Sequence, residues 1–337
     1  MSILVTGSAG FIGHHVALAL LERGERVIGL DNLNNYYDPA LKRARNARLQ
    51  NRAESGAKAG AKAGSAYRFV AADIADREAM EALVDAEPDI TGIVHLAAQA
   101  GVRHSMVDPY VYVQSNVLGH VTLLEAARRL PRLAHLAFAS SSSVYGLNES
   151  LPFRETDRTD RPNSLYAATK RSGELMAHAY GHLYGLPQTA LRFFTVYGPW
   201  GRPDMAYYGF ARAIVEARPV TLYEGQGLAR DFTYIDDVVD GVLRVLALPP
   251  DASVERLRIL NLGNHRSERV SHMVSLLEAS LGRRAEIRMV PRPAADLMAT
   301  FASVEAAGDL SGWHPATSLD IGIPRFVDWF VRYHGVS

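Results

Sequence analysis

The sequence TGSAGFIG (Thr6–Gly13) decides the fold. It follows an apolar run, Ile3–Thr6, that predicts a strand, and it opens a predicted helix at Ile12–Arg23. Three glycines recur at intervals of three: Gly7, Gly10 and Gly13. Glycine permits the tight turn, the close approach of backbone to a pyrophosphate, and close packing of helix on strand. The free N–H groups and the dipole at the start of the helix favour phosphate. The stretch therefore predicts a strand–loop–helix unit that binds a dinucleotide.

Short apolar runs continue to alternate with helical patterns through the first 200 residues. The predicted strands are Ile3–Thr6, Arg26–Asp31, Tyr67–Ala71, Gly92–Ala97, His135–Ser140 and Thr189–Phe194, with a further strand at Arg258–Leu262. The predicted helices between them are Ile12–Arg23, Arg77–Ala86, Val111–Arg129 and Ala167–Gly185. This alternation predicts an α/β fold with a doubly wound, Rossmann-type parallel sheet.

The last third of the chain predicts a smaller domain that is interleaved with the first. Its predicted helices are Asp236–Leu248, Ser271–Leu281 and one near Ile323–Tyr333. We expect residues 1–190 to bind the dinucleotide, with segments near 230–265 packing back on them, and residues 191–337 mainly to bind substrate. The low-complexity segment Ala53–Ala66 predicts a surface loop or a frayed helical extension.

Composition limits the classes of partner. The chain has 36 basic and 36 acidic residues, so its zero formal charge favours neither nucleic acid nor an anionic membrane. It has no cysteine, which excludes disulfides and thiolate chemistry. No apolar run approaches the roughly 20 residues of a membrane span, and a strand begins almost at once, so we expect a cytoplasmic protein. We expect no metal site.

Asp31 ends the second predicted strand, at the distance from the glycines where an acid contacts the adenosine ribose. Its carboxylate can accept both ribose hydroxyls and would repel a 2′-phosphate, which favours NAD over NADP. Asp73, after the third strand, is a candidate either for contact with the adenine amino group or for a turn or helix cap.

Tyr166 and Lys170 lie four residues apart in a predicted helix, so they share a face. A phenol titrates near pH ~10, too high for a base at neutrality. A nearby ammonium and a positively charged nicotinamide would favour the phenolate. The run Ser140–Ser143 closes the fifth strand at the edge of the sheet where ligands bind. We therefore predict Tyr166 as the base, Lys170 as its partner and Ser141 as the hydrogen-bonding group on a reacting sugar hydroxyl.

Together these motifs, with HLAAQ at residues 95–99, resemble the extended short-chain dehydrogenase/reductase family. The resemblance implies NAD that stays bound and is regenerated in each turnover. It assigns catalysis to Tyr166, Lys170 and Ser141. The cofactor residues that follow from the motifs and the resemblance are Gly7, Gly10, Phe11, Ile12, Gly13, Asp31, Asn32, Asp73, Ile74, Leu96, Ala97, Ala98, Gln99, Asn116, Tyr166, Lys170 and Phe193.

Three further segments, LDNLNNYYD (residues 30–38), GVR (101–103) and RFFTVYGP (192–199), resemble the UDP-glucuronate 4-epimerase group of that family. In related dehydratases an Asp-Glu pair precedes Val-Tyr-Gly, and in related decarboxylases a Glu does, whereas this chain has Ser142 and Ser143. The extra proton-transfer groups are missing, which favours epimerisation. The implied reaction interconverts UDP-glucuronate and UDP-galacturonate by hydride transfer from C4 to NAD, a 4-keto intermediate, and hydride return to the opposite face.

A uronic acid substrate needs its carboxylate held, because the 4-keto intermediate is a β-keto acid that can lose CO2. The candidates are Ser142, Ser143, Thr195 and Arg202. The arginine offers a charged guanidinium that can donate two parallel hydrogen bonds to a carboxylate. The resemblance adds nucleotide contacts at Arg103, Leu222, Tyr223, Arg230 and Asp296, and a homodimer through helices around 105–128 and 167–185. Asp296 stands in the sequence Pro-Ala-Ala-Asp, where the family has Pro-Gly-Asp, so the chain departs from the family at this contact.

Three alternatives stay open from the sequence. A UDP-glucuronate decarboxylase would release CO2, and a 4-epimerase of a neutral UDP-hexose would not need Arg202. A non-catalytic, NAD-sensing regulator could use the same fold, although such proteins commonly lose the Tyr–Lys pair, which this chain has.

Overall fold

The structure is a computed structural model that describes residues 2–58, 66–224, 227–251, 256–291 and 298–336. Its strands are β1 (Ser2–Thr6), β2 (Arg26–Asp31), β3 (Tyr67–Ala71), β4 (Ile90–His95), β5 (His135–Ser141), β6 (Gln188–Phe193), β7 (Thr195–Tyr197), β8 (Val220–Tyr223), β9 (Ala229–Arg230), β10 (Phe232–Tyr234), β11 (Leu257–Leu262), β12 (Glu268–Arg269) and β13 (Ile287–Val290). Its α-helices are α1 (Phe11–Glu22), α2 (Pro39–Lys58), α3 (Arg77–Ala86), α4 (Pro109–Tyr112), α5 (Gly119–Arg128), α6 (Leu165–Tyr184), α7 (Ala206–Val215), α8 (Ile235–Leu246), α9 (Val270–Leu281), α10 (Glu305–Ser311) and α11 (Leu319–His334).

Within these residues the main sheet has seven strands in the order β11-β6-β5-β4-β1-β2-β3, and every pair is parallel. The predicted doubly wound sheet is therefore confirmed, and the late strand joins it as the edge strand beside β6. The chain reverses direction of winding between β1 and β4. Ligands of such sheets bind in the crevice at this point, outside the carboxyl ends of the strands.

Each face of the sheet carries a separate apolar core. On one face β1 and β5 pack with α1 and α8 through side chains such as Val5, Val16 and Val242. On the other face β4 and β5 pack with α3 and α5 through Ile93, Leu123 and Phe138. Strands buried on both faces read as continuous apolar runs, which is why the sequence predicts most of their bounds to within one or two residues.

The helix predicted at Val111–Arg129 is interrupted in the structure. It consists of α4, a π-helical segment at Val113–Leu118, and α5. Single π turns inside helices are typical of functional sites. This one carries Ser115, which lines the main cavity, and Asn116, whose side chain is buried.

The low-complexity segment Ala53–Ala66 falls partly in α2, which continues to Lys58, while residues 59–65 lie outside the described residues. Helix α2 itself was not predicted, because it lacks an apolar stripe. In the described part of the chain no helix is both long and apolar enough to cross a bilayer.

Candidate active site

A cavity of about 400 Å³ lies along the carboxyl ends of the main-sheet strands. The loops after β1, β4, β5 and β6 all contribute to its walls. It therefore crosses the point where the winding of the sheet reverses. The predicted residues that line it are Gly7, Gly10, Phe11, Ile12, Gly13, Asp31, Asn32, Ile74, Leu96, Ala97, Ala98, Gln99, Ser141, Ser142, Ser143, Tyr166, Lys170, Phe193, Thr195 and Arg202.

The glycine loop has no room for side chains. Gly7 has a φ of +71°, and a Cβ there would lie 2.7 Å from the Ala97 nitrogen. A Cβ on Gly13 would lie 2.1 Å from the Gly7 oxygen. Gly10 caps α1 without any side chain that accepts from the first turn, so the N–H groups at this helix start face the cavity without a capping partner. This backbone surface fits the pyrophosphate of a dinucleotide.

Asp31 is buried at the other end of the same wall. Its Oδ2 accepts from Ala9 N at 3.1 Å and its Oδ1 accepts from Leu33 N at 2.8 Å. Each carboxylate oxygen keeps capacity for a second hydrogen bond. The glycine loop and the loop after β2 therefore fix this carboxylate at the cavity wall.

Two predicted cofactor residues lie behind the wall of the cavity. Asp73 accepts from Ala75 N at 2.9 Å and from the Asn32 side chain at 2.8 Å, so it makes a turn and holds Asn32. The Asn116 side chain accepts from Gln99 N at 2.8 Å and donates to Gln99 O at 2.9 Å. Both residues fix the backbone or side chain of a neighbour that lines the cavity.

Tyr166 and Lys170 project from the first two turns of α6 into the middle of the cavity. Ser164 caps this helix by accepting from Ala167 N at 3.2 Å. Lys170 Nζ donates to Ala139 O at 2.9 Å, which ties the lysine to β5. Ser141, at the end of β5, lines the same cavity and acts to lower the pKa of Tyr166. Base, ammonium and serine hydroxyl are thus brought to one point of the cavity.

The burial and charges that the chain itself supplies, without a cofactor, keep the Tyr166 phenol protonated. Burial raises the pKa of Tyr166, and the hydrogen bond with Ser141 and the charge of Arg202 lower it by less. The lowering of the tyrosine pKa that we predicted from the sequence is therefore not a property of the chain alone. A further positive charge beside the phenol is required, as a positively charged nicotinamide would provide.

Burial lowers the pKa of Lys170 from 10.5 to about 8, with a smaller contribution from Arg202. The unfolded chain therefore holds one more proton between these pH values, and this group makes stability rise with pH over that window. A shift of this size corresponds to a penalty of about 3 kcal/mol at pH 7, where the folded lysine is charged.

We expect Lys170→Met to be more stable than the unsubstituted protein at pH 7. The gain should be up to about 3 kcal/mol, less about 1 kcal/mol for the hydrogen bond lost at Ala139 O. Urea unfolding between pH 7 and pH 10 measures it, and the advantage should shrink as the pH rises. The exposed Arg43→Met is the control and should leave the pH dependence unchanged. A difference that is constant with pH would contradict the expectation.

The serine run turns sharply after β5. Ser141 Oγ donates to Ser143 Oγ at 3.2 Å and accepts from Ser143 N at the same distance. Ser142 and Ser143 therefore stay at the cavity wall beside Tyr166.

Arg202 lines the same cavity as the serine run and lies in a turn that follows β7. Its Nη2 donates to Asp204 Oδ2 at 2.7 Å and its Nε donates to Asp204 Oδ1 at 3.1 Å. Burial alone would lower the pKa of Arg202, but the Asp204 carboxylate raises it above its ordinary value. The Arg202 guanidinium, which could bind a carboxylate, therefore lines the cavity, and it is paired with the Asp204 carboxylate of the same chain.

The predicted nucleotide contacts lie outside the lining of this cavity. The Arg103 guanidinium stacks over the Tyr223 ring at 5.2 Å, which brings two of them together, and Leu222 precedes Tyr223 in β8. Arg230 donates to Ala229 O at 2.8 Å. Asp296 lies outside the described residues.

Several cavity residues were missed from the sequence: Asn34, Tyr36, Tyr37 and Lys42. Lys42 Nζ donates to Asn34 Oδ1 at 2.6 Å, and Tyr36 Oη donates to Asp204 Oδ2 at 3.2 Å. The density of Asn and Tyr directly after Asp31 was the available signal. The described residues contain no group of three or more His, Asp or Glu side chains able to hold a metal ion.

Known proteins resemble the chain over its whole length. The profile of the NAD dependent epimerase/dehydratase family matches residues 3–263. UDP-glucuronate 4-epimerase 1 of Arabidopsis thaliana is 46% identical over 349 aligned residues, which cover 100% of this chain and 78% of that protein. UDP-glucuronic acid 4-epimerase from Bacillus cereus, solved with UDP-glucuronic acid and NAD, has a TM-score of 0.86 at 32% identity, covering 99% of this chain and 100% of that one.

A neutral-sugar enzyme is similar in structure as well. UDP-glucose 4-epimerase from Thermotoga maritima, solved with UDP-glucose, has a TM-score of 0.85 at 28% identity and the same coverage of 99% and 100%. Fold similarity therefore does not separate the two substrate classes. The family prediction is confirmed: this chain belongs to the NAD dependent epimerase/dehydratase family.

Proposed function

We propose that this chain is a UDP-glucuronate 4-epimerase that interconverts UDP-glucuronate and UDP-galacturonate with resident NAD. The observation that carries the proposal is a single cavity lined by the glycine loop, the Tyr166–Lys170 pair and the Arg202 guanidinium. The first two fit alcohol oxidation beside a dinucleotide, and the third fits a sugar that carries a carboxylate. The relatives named UDP-glucuronate 4-epimerase support the same substrate.

The residues of this chain handle the proton of the reaction. Tyr166 Oη takes the proton of the C4 hydroxyl while Ser141 Oγ hydrogen bonds the same oxygen. Lys170, protonated below a pKa of about 8, carries positive charge in the same cavity as Tyr166. NAD, when bound, would supply the hydride chemistry at C4, and Tyr166 Oη returns the proton to the C4 oxygen when the 4-keto sugar is reduced again. The glycine loop, Asp31 and Phe193 would hold the dinucleotide.

The same cavity must prevent loss of CO2 from the 4-keto sugar. Decarboxylation requires the breaking C–C bond to align with the carbonyl π system. Ser142, Ser143, Thr195 and Arg202 would hold the carboxylate so that this bond stays out of alignment. Because a guanidinium binds a carboxylate through two parallel hydrogen bonds, it fixes orientation as well as position. Arg103, Leu222, Tyr223, Arg230 and Asp296 stay predicted contacts for the UDP group.

The decisive experiment gives UDP-glucuronate to the purified protein without added NAD and follows the sugar by NMR. Formation of UDP-galacturonate supports the proposal and shows that NAD copurifies. A pentose product would favour a decarboxylase instead. Conversion of UDP-glucose but not of UDP-glucuronate would favour the neutral-sugar epimerase, the alternative that the Thermotoga maritima structure keeps open. An NAD-sensing regulator would convert neither sugar.

A homodimer is part of the proposal. Large apolar side chains are exposed on two adjacent segments, before and within α4 and along α6. They are Met106 (74% exposed), Val107 (79%), Tyr110 (83%), Leu175 (56%) and Leu183 (64%). A patch of this kind marks an interaction surface, and a second copy could cover it with the same patch.

The division of the chain near residue 190 and a cytoplasmic location also stay predictions.

We expect the protein to elute as a dimer and the double substitution Leu175→Glu with Leu183→Glu to convert it to a monomer. The double substitution would bury two unpaired carboxylates per chain in a symmetric interface. Burial of unpaired charges destabilises the dimer. Light scattering after gel filtration measures the mass. Ile321→Glu, at an exposed position of α11, is the control and should leave the dimer intact. A double variant that stays dimeric would place the interface elsewhere.

A further inference from the structure

Arg45 is a fully buried arginine in α2 that the proposed reaction does not use. It is 0% exposed, and all five of its N–H donors are engaged. Nε and Nη2 donate to Trp200 O at 3.1 and 2.6 Å. Nη2 also donates to Gly201 O at 2.9 Å, and Nη1 donates to Ala9 O at 3.0 Å and to Tyr37 Oη at 2.6 Å.

None of these acceptors is a carboxylate. Burying a charge without an opposite charge is costly even where hydrogen bonds are complete. A lysine would carry the same charge with only three donors and no planar fork. The site therefore uses the geometry of the guanidinium, and its charge lies between two loops that the anionic substrate and cofactor would contact.

The two loops are the glycine loop and the turn that carries Arg202. Ala9 belongs to the first, and Trp200 and Gly201 directly precede Arg202 in the second. Trp200 has a φ of +60°, in the left-handed region that disfavours side chains. A Cβ on Gly201 would lie 1.9 Å from Tyr207 Oη, so this turn is tight as well as strained. Arg45 binds both carbonyls of the turn and holds it in this conformation.

We propose that Arg45 is a positioning residue that joins the glycine loop and the Arg202 turn into one rigid unit. Arg202 then meets the carboxylate of the sugar at a fixed distance from the dinucleotide. The inference rests on the proposed function, because it takes a uronate as the ligand of Arg202. Arg45 touches neither substrate nor cofactor in this account and acts through Arg202.

A double-mutant cycle tests this coupling. The variants are Arg45→Lys, Arg202→Met and their combination, with the exposed Arg43→Met as the matched control on the same helix. The readouts are KM and kcat for UDP-glucuronate, the fraction of turnover that ends in decarboxylation, the NAD content per chain, and Tm. Residues that act through a shared contact give non-additive effects.

We expect Arg45→Lys to raise KM for UDP-glucuronate by about 10-fold and to increase the decarboxylated fraction, a loss that corresponds to about 1.4 kcal/mol. In the Arg202→Met background the same change should alter KM by less than about 2-fold. The NAD content should stay near that of the unsubstituted protein, and Arg43→Met should change none of these values. Equal fold-changes in both backgrounds would overturn the inference.

If Arg45→Lys does not fold, Tyr37→Phe enters the same cycle, since it removes one acceptor of Arg45 and keeps the ring. A change in KM of about 3-fold that disappears in the Arg202→Met background supports the inference. No change, or the same change in both backgrounds, overturns it. Failure of the proposed function is distinct, because it appears in the unsubstituted protein as a lack of UDP-glucuronate conversion.

Discussion

Tyr166→Phe is expected to lower kcat for UDP-glucuronate conversion by about 10³-fold or more, within the range that general acid–base groups contribute. The substitution removes the one oxygen that takes the C4 proton and keeps the ring. That ring lies edge-on to Tyr112 at 6.0 Å, so packing is preserved. Tm, NAD content and KM should therefore stay close to those of the unsubstituted protein. NMR of the sugar and a thermal melt measure the effect.

Tyr180→Phe is the matched control for this prediction. Tyr180 lies on the same helix, and its hydroxyl donates to Glu125 at 2.6 Å on the outer side of the molecule. Losing that hydroxyl should leave kcat within about 2-fold, since exposed polar contacts contribute little. If Tyr166→Phe retained more than a tenth of the activity, another group would be the base and the mechanism would need revision.

Most of the main sheet could be predicted because a parallel strand that is buried on both faces forms a continuous apolar run in the sequence. The bounds of β2 and β3 agree with the prediction, and the others differ by one or two residues. Helix α2 could not be predicted, because its inward positions include Lys42 and Arg45 beside Leu41 and Leu49. A helix that buries charged side chains has no apolar stripe, so periodicity cannot reveal it.

The residues in and around the cavity also divide into those that the sequence could predict and those that it could not. Those at or just beyond the carboxyl end of a main-sheet strand, such as Asp31 in β2, Ser141 in β5 and Thr195 after β6, could be predicted, because the carboxyl ends of parallel strands share one edge. Arg45 and Asp204, which hydrogen bond with the lining residues Tyr37 and Arg202, could not. Arg45 reaches acceptors 155 and 156 residues away, and Tyr36 reaches Asp204 across 168 residues. Contacts at such separations exist only once the chain is folded.

Arg202→Met is expected to lower kcat/KM for UDP-glucuronate by about 10²- to 10³-fold, because truncating one partner of a buried charge pair costs about 2–5 kcal/mol. For UDP-glucose, which has no carboxylate, the change should be less than about 5-fold, well below the cost of a lost charge pair. The variant should also release more pentose product, since the carboxylate is no longer fixed. The ratio of the two kcat/KM values, with the pentose fraction by NMR, measures the effect.

A second variant distinguishes the loss of attraction between Arg202 and the uronate from a new repulsion between Asp204 and the uronate. Arg202→Met leaves Asp204 without the guanidinium that it binds at 2.7 Å, and its negative charge would then repel a uronate. Adding Asp204→Asn removes this repulsion and should recover only a part of the loss, roughly 10-fold or less by the ordinary size of a single charge contact. If the double variant regained full activity, Arg202 would serve only to neutralise Asp204, and the uronate carboxylate would be bound by the serine run and Thr195. If UDP-glucose suffered as much as UDP-glucuronate, the guanidinium would contact a group common to both, such as the diphosphate.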